Sequence, residues 1–193
     1  MTGVPLSVVL FTALILLTGV ERIIELITSV RNARWAFERG GVESNRLQLP
    51  WMIALHVGML LGALAEVWLL GRPFLPWLGW PMLAIALACQ AGRFWIIRSL
   101  GPQWNTRIIV VPGLPLVTTG PYRWSRHPYP VFLAHPNYVI VAIEGIALPL
   151  VHTAWITALA FTVLNAILLL GFRVPAEDRA LAGAARIGTG VRT

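Results

Sequence analysis

The chain has 193 residues, 57% hydrophobic and 12% charged, with a formal net charge of +7 at pH 7. An ordinary soluble domain is about half apolar and about a quarter charged, so this composition points to a membrane protein. All fifteen basic residues are arginine. In a membrane protein clustered arginine near span ends pairs with the anionic inner leaflet, and a nucleic-acid partner is not expected.

A bilayer core is crossed by about 20 apolar residues in a helix. Residues 4–20, including "VPLSVVLFTALILLTGV", run without a charge as far as Glu21. No basic segment precedes them, so they read as a first span rather than a cleaved signal. Glu21 and Glu25 follow, one helical turn apart beside Arg22, and read as interfacial ion pairing.

Spans two and three are expected over residues 51–70 and 77–97. His56 reads as a packed or interhelically hydrogen-bonded histidine, and Glu66 as interfacial. The single cysteine, Cys89, lies between Ala88 and Gln90 in an apolar run. That excludes a disulfide framework and a cysteine metal cluster, and marks a buried structural thiol. No metal site is read.

Residues 98–137 are rich in breakers, with Gly101, Pro102, Pro112, Gly113, Pro115, Gly120, Pro121, Pro128, Pro130 and Pro136. Turns and proline rigidity, not helix, should order such a loop. A rigid loop at the mouth of a helical bundle is a good place to hold a ligand. The competing reading is an interfacial belt of Trp104, Tyr122, Trp124, Tyr129, Tyr138 and arginines. The apolar stretch 138–172 exceeds one span and is interrupted by Pro149, His152 and Thr153, so it reads as a helical hairpin.

The expected fold is therefore all-α: a polytopic membrane protein of about five transmembrane helices, with a C-terminal helical hairpin and a cytoplasmic loop region. Residues 1–193 form one domain, with the catalytic part at about 98–182. With the N-terminus outside, fourteen of the fifteen arginines fall on the cytoplasmic side and only Arg72 outside, as the positive-inside rule asks. Ionisable groups within spans default to functional roles. Glu144, about two turns into the helix that starts at the loop, is on that ground a candidate catalytic carboxylate facing a polar pocket.

The stretches "LGPQWNTRIIVVPGLPLVTTGPYRWSRHP", "NYV" and "FRVPAEDRAL" together resemble the isoprenylcysteine carboxyl methyltransferase family of integral-membrane enzymes. The likeness rests on Leu100, Gly101 and Trp104; on Leu116, Val117, Gly120, Pro121 and Tyr122; on the His-Pro region; and on Arg173, Glu177 and Asp178. The first half is similar to a bacterial branch acting on alkylpyrones and alkylresorcinols. Family members read Arg-His-Pro-Asn-Tyr without interruption. Here the motif is split into Arg126-His127-Pro128 and His135-Pro136-Asn137-Tyr138, and the second copy, continuous with the fourth helix, is favoured for the family position. Asp178 stands where relatives carry glutamate.

The resemblance implies S-adenosylmethionine as cofactor, with Val117, Gly120, Tyr122, Arg126, His127, Pro128, His135, Pro136, Tyr138, Glu177 and Asp178 around it. It implies a catalytic Arg173 gripping a substrate carboxylate or enolate, and a lipophilic or prenylated substrate entering from the membrane lipids. The implied location is the bacterial cytoplasmic membrane, with the site facing the cytoplasm. Two other classes stay open: a sterol-type membrane reductase using a nicotinamide cofactor, and a small non-enzymatic membrane protein.

Overall fold

A computed structural model describes residues 3–45, 48–115, 117–124, 135–177 and 179–180. The chain runs α1 (Leu6–Phe37), β1 (Val42–Ser44), α2 (Gln48–Leu70), α3 (Pro76–Leu100), β2 (Ile108–Val110), α4 (Pro136–Leu150) and α5 (Trp155–Leu168). Short 3-10 turns cover Gly101–Gln103 and Gly120–Trp124, and a π-helical turn, Leu169–Arg173, continues α5. Four helices are long and apolar enough to cross a membrane, and Pro136–Leu150 is a shorter apolar helix. Its fifteen residues span about 23 Å at about 1.5 Å each, less than a hydrocarbon core of about 30 Å.

The boundaries follow local chemistry. Pro76 and Pro136 occupy the first turns of α3 and α4, where a missing N–H leaves no bond unmade. The expected end of the first span near residue 20 is corrected: α1 continues to Phe37, because Arg22 and Glu25 find partners inside the bundle instead of leaving the helix. The helix stops only before Gly40, whose φ of 76° suits a residue without Cβ. Val42–Ser44 and Ile108–Val110 pair antiparallel, a small ribbon beside an otherwise helical fold among the described residues.

The helices pack through a thin apolar core that includes Phe11 and Ile15 of α1, Ala63 and Val67 of α2, Ala147 and Leu148 of α4, and Phe161 of α5. Large apolar side chains such as Leu10, Leu17, Leu61, Leu69, Trp77 and Leu164 point outward. An apolar outer surface of that kind suits lipid, not water. The hairpin partners α4 and α5 approach closely at Gly145, where a Cβ would overlap the Phe161 ring.

Two opposite ends can be told apart by their bonds. At one, the Thr153 hydroxyl donates to the Pro73 carbonyl at 2.7 Å and His152 Nε2 lies 3.2 Å from Ser7 Oγ. This end gathers the start of α1, the α2–α3 turn and the α4–α5 turn. Glu66 belongs to this end. It is buried, accepts from the Ile156 and Thr157 amides at 3.2 and 2.8 Å, and pairs with Arg72 at 2.9 Å, so it caps α5. At the other end, Asn32 Nδ2 donates to the carbonyls of Gly101 and Trp104 at 3.2 and 2.7 Å, gathering the end of α1 and the loop after α3.

Candidate active site

The loop after α3 and the two ends of the hairpin converge. Gly120 opens its 3-10 turn with φ of 61°, and a Cβ there would collide with the Ser99 side chain. Glycine therefore lets the Gly-Pro-Tyr turn lie directly on α3. Val117 precedes this turn without regular secondary structure. Tyr122 follows, and burial raises its phenol pKa, with the charge of Glu177 adding to the shift. The phenol is thus a neutral hydrogen-bonding group at physiological pH, within electrostatic reach of Glu177.

His135 and Pro136 start α4, which places Tyr138 in its first turn. The His135 and Tyr138 rings stack with centroids 5.1 Å apart. The Tyr138 hydroxyl donates to Glu177 Oε2 in a short hydrogen bond, and His135 Nδ1 lies 3.7 Å from Glu177 Oε1. Arg173, buried in the π-helical turn, donates through Nε to the Tyr138 hydroxyl at 2.9 Å and through Nη2 to the Thr106 carbonyl at 2.8 Å. Tyr138 therefore joins a carboxylate to a guanidinium. The group can hold a cation against Glu177 and an anion against Arg173 and His135.

Of the sequence-derived site residues, the structure brings together His135, Tyr138, Arg173 and Glu177, with Pro136 beside His135 and Tyr122 within electrostatic reach of Glu177. Gly120 lies against Ser99 of α3, and Val117 makes no hydrogen bond to this group among the described residues. Arg126, His127, Pro128 and Asp178 lie outside the described residues. Thr106 joins the site through a backbone carbonyl, which carries no side-chain signal in a sequence.

Glu144 is buried in a different setting. Arg22 Nη2 donates to its Oε1 at 2.6 Å, and Gln90 Nε2 donates to the same oxygen at 3.2 Å. Arg22 Nη1 also pairs with Glu25 at 2.7 Å, and Arg93 Nε donates to the other Glu25 oxygen in a short hydrogen bond. Two arginines and two glutamates on α1, α3 and α4 thus pair in a buried network. Arg93 Nη1 has no partner there. His56 is a packing residue: Nδ1 lies 2.8 Å from the Met52 carbonyl of its own helix, and the ring meets Phe161 edge-on.

Between α4 and α5 lies a cavity of about 130 Å³, lined by His135, Tyr138, Val139, Ala142, Thr162, Asn165, Ala166, Leu169, Leu170 and Val174. Asn165 is 2% exposed, and its Oδ1 has no hydrogen-bond partner. It stands out in the sequence as an amide in the apolar run of α5, but attention to ionisable groups passes over it. A more open hollow of about 440 Å³ is lined by Phe37, Glu43, Leu49, Pro50 and Arg107. Its charges pair with each other, Arg107 Nη1 lying 3.6 Å from Glu43 Oε2.

Residues 82–183, just over half of the chain, match the isoprenylcysteine carboxyl methyltransferase family model. The chain is also 37% identical over 173 residues to the uncharacterized protein YpbQ of Bacillus subtilis strain 168, covering 89% of this chain and 96% of that protein. No solved structure matches.

Proposed function

This chain belongs to the isoprenylcysteine carboxyl methyltransferase family, and from that premise we propose that it uses S-adenosylmethionine to methylate an acidic oxygen on a lipophilic substrate. The observation that carries this reading is the group of His135, Tyr138, Arg173 and Glu177, assembled within the matched segment at the mouth of an apolar cavity. Its charges fit the zwitterionic amino-acid end of the cofactor. Glu177 would receive the ammonium, while His135 and Arg173 would face the carboxylate. Arg126 and Asp178 are proposed to contribute as the family pattern implies.

Bound there, the cofactor would supply an electrophilic methyl group. The protein's share is positional, because in-line displacement asks mainly for about 3 to 3.5 Å between nucleophile and carbon in a dry, aligned setting. Arg173 would steady the anionic substrate oxygen by charge-assisted hydrogen bonding. Glu144 lies six residues beyond Tyr138, roughly 120° around the helix. In this reading it acts through Arg22 on helix packing rather than on a reacting atom. The substrate head is an isoprenylcysteine carboxylate or the hydroxyl of an alkylpyrone or alkylresorcinol.

Arginine placement supports an outside N-terminus in a bacterial cytoplasmic membrane. Arg72 alone, among the described residues, sits at the end shared with Ser7, while Arg31, Arg34, Arg39, Arg98, Arg107, Arg123, Arg173 and Arg179 lie toward the other end. Thermal protection of the purified chain tests the cofactor, since a ligand at about 100 times its Kd stabilises by about 2.7 kcal/mol. S-adenosylhomocysteine should protect the wild-type chain and fail to protect Glu177→Gln. Equal protection of both would remove Glu177 from the site, and protection by NADPH instead would replace the methyltransferase with a reductase.

A further inference from the structure

We propose that Asn165 is a substrate-positioning residue, whose side-chain oxygen accepts a hydrogen bond from the lipid's polar head inside the cavity between α4 and α5. The proposal rests on the methyltransferase reading and adds to it a residue that the family motif does not contain. Its basis is an imbalance within the cavity wall. The Thr162 hydroxyl donates to the Ala158 carbonyl at 2.7 Å, and the Tyr138 hydroxyl is engaged by Glu177 and Arg173. His135 faces Glu177. Asn165 is as deeply buried as a core leucine, yet its Oδ1 meets no donor.

A buried amide without a partner is destabilising, and native interiors rarely keep one unless a ligand or an ordered water completes it. A lone water needs two to four polar partners, and the wall supplies few: the Thr162 hydroxyl is engaged by Ala158, His135 and Tyr138 face Glu177, and Val139, Ala142, Ala166, Leu169, Leu170 and Val174 are apolar. A volume of about 130 Å³ admits a carboxyl group or one ring. Asn165 stands on α5 two helical turns before Arg173, about 12 Å along the axis. A head held there lies between the lipid-facing part of the hairpin and the charged group at its cytoplasmic end. Asn165 Oδ1 accepts, so a hydrogen-bond donor on the head of an apolar tail is the shared chemistry of the two substrate sources, the hydroxyl of an alkylresorcinol or the amide N–H beside a prenylcysteine carboxylate.

The test uses the full chain in nanodiscs, with N-acetyl-S-farnesylcysteine and 5-pentadecylresorcinol as lipid probes. Asn165→Leu conserves size and removes the hydrogen bond, and Asn165→Ser returns a hydroxyl. For the probe that the wild type accepts, kcat/KM for methyl transfer should fall about tenfold or more in Asn165→Leu and recover in part in Asn165→Ser. S-adenosylhomocysteine affinity should stay within about twofold, and the melting temperature should hold or rise, because an unsatisfied amide has been removed. Unchanged kcat/KM overturns the proposal. So does an equal loss of cofactor affinity or a lowered melting temperature, which would make Asn165 a cofactor or structural group. A wild-type chain that binds S-adenosylhomocysteine but neither probe refutes the cavity as a head-group site. A wild-type chain that does not bind S-adenosylhomocysteine removes the methyltransferase reading, and the proposal falls with it.

Discussion

Replacing Glu144 by leucine should unbalance the buried network in a way that its partner can undo. Arg22, Glu25, Arg93 and Glu144 contribute two charges of each sign, and Glu144→Leu takes from Arg22 one of its two paired carboxylates. At 2.6 Å and an effective dielectric near 20, the Arg22–Glu144 attraction is about 6 kcal/mol before desolvation. Arg22 keeps Glu25 at 2.7 Å and the Gln90 carbonyl at 3.1 Å, so the net loss belongs at the low end for a broken buried pair, about 3 kcal/mol. Arg22→Met in the same chain removes the group left without Glu144, with Arg93 and Glu25 still paired. The double variant should be more stable than the sum of the two single losses implies, by about 2 kcal/mol or more. Reversible unfolding by SDS in mixed micelles measures all four corners of the cycle. Strictly additive losses would show that α1 and α4 do not meet through these charges, and the bundle arrangement would have to be redrawn.

Other outcomes follow from separate parts of the molecule. His135→Ala should weaken S-adenosylhomocysteine binding strongly and His127→Ala little; the reverse order in a binding titration would return the family position to the earlier His-Pro pair. Glu66→Ala removes an acceptor of two backbone amides and the partner of Arg72, and should lower unfolding stability by about 3 kcal/mol or more in the same micelle assay, each charged hydrogen bond contributing about 1.5 to 3. Burial lowers the pKa of His152, so the unfolded chain binds its proton first. Stability from this residue should be complete above about pH 6.5 and lost as pH falls from there toward the lower folded pKa; melting curves of the wild type and His152→Gln should diverge in that window, and parallel curves would mean the ring is hydrated. A cysteine introduced at Ser125 should react with an impermeant thiol reagent only from the cytoplasmic side, and labelling from outside would invert the topology.

Sequence alone carried the helices and the family a long way, since apolar length and proline placement are local properties. The charged network was less legible. Arg22 and Glu25 look like a surface pair because their spacing of three is visible, whereas Glu144 stands 122 positions from Arg22 and Arg93 stands 68 from Glu25. Nothing local announces such meetings. The partners of Glu66 were hidden for the same reason, at 156 and 157, 90 and 91 residues away. Glu177 and Tyr138, by contrast, were reached through motif resemblance, which encodes distant contacts that spacing cannot. Asn165 needed the cavity itself, because a lone amide in an apolar helix becomes informative only when its neighbours are known.

The π-helical turn at Leu169–Arg173 acts as a phase setter for everything after it. One extra residue accommodated in a helical turn rotates the following side chains by about 100° relative to an uninterrupted α-helix. Arg173 and Glu177 meet Tyr138 in the phase that this widened turn sets. Deleting Gly171, whose Cβ position faces open space, would let the segment relax to regular winding without a packing clash. Because the widened turn already absorbs one residue, that shortened chain would keep its span, its charge and the phase of both site groups toward α4, whereas removing one residue from the regular winding of α5 would turn both away from α4 by about 100°. Angular offset, adjustable by a single codon, is thus a variable by which such a membrane helix can gain or lose a site while its insertion is unaffected.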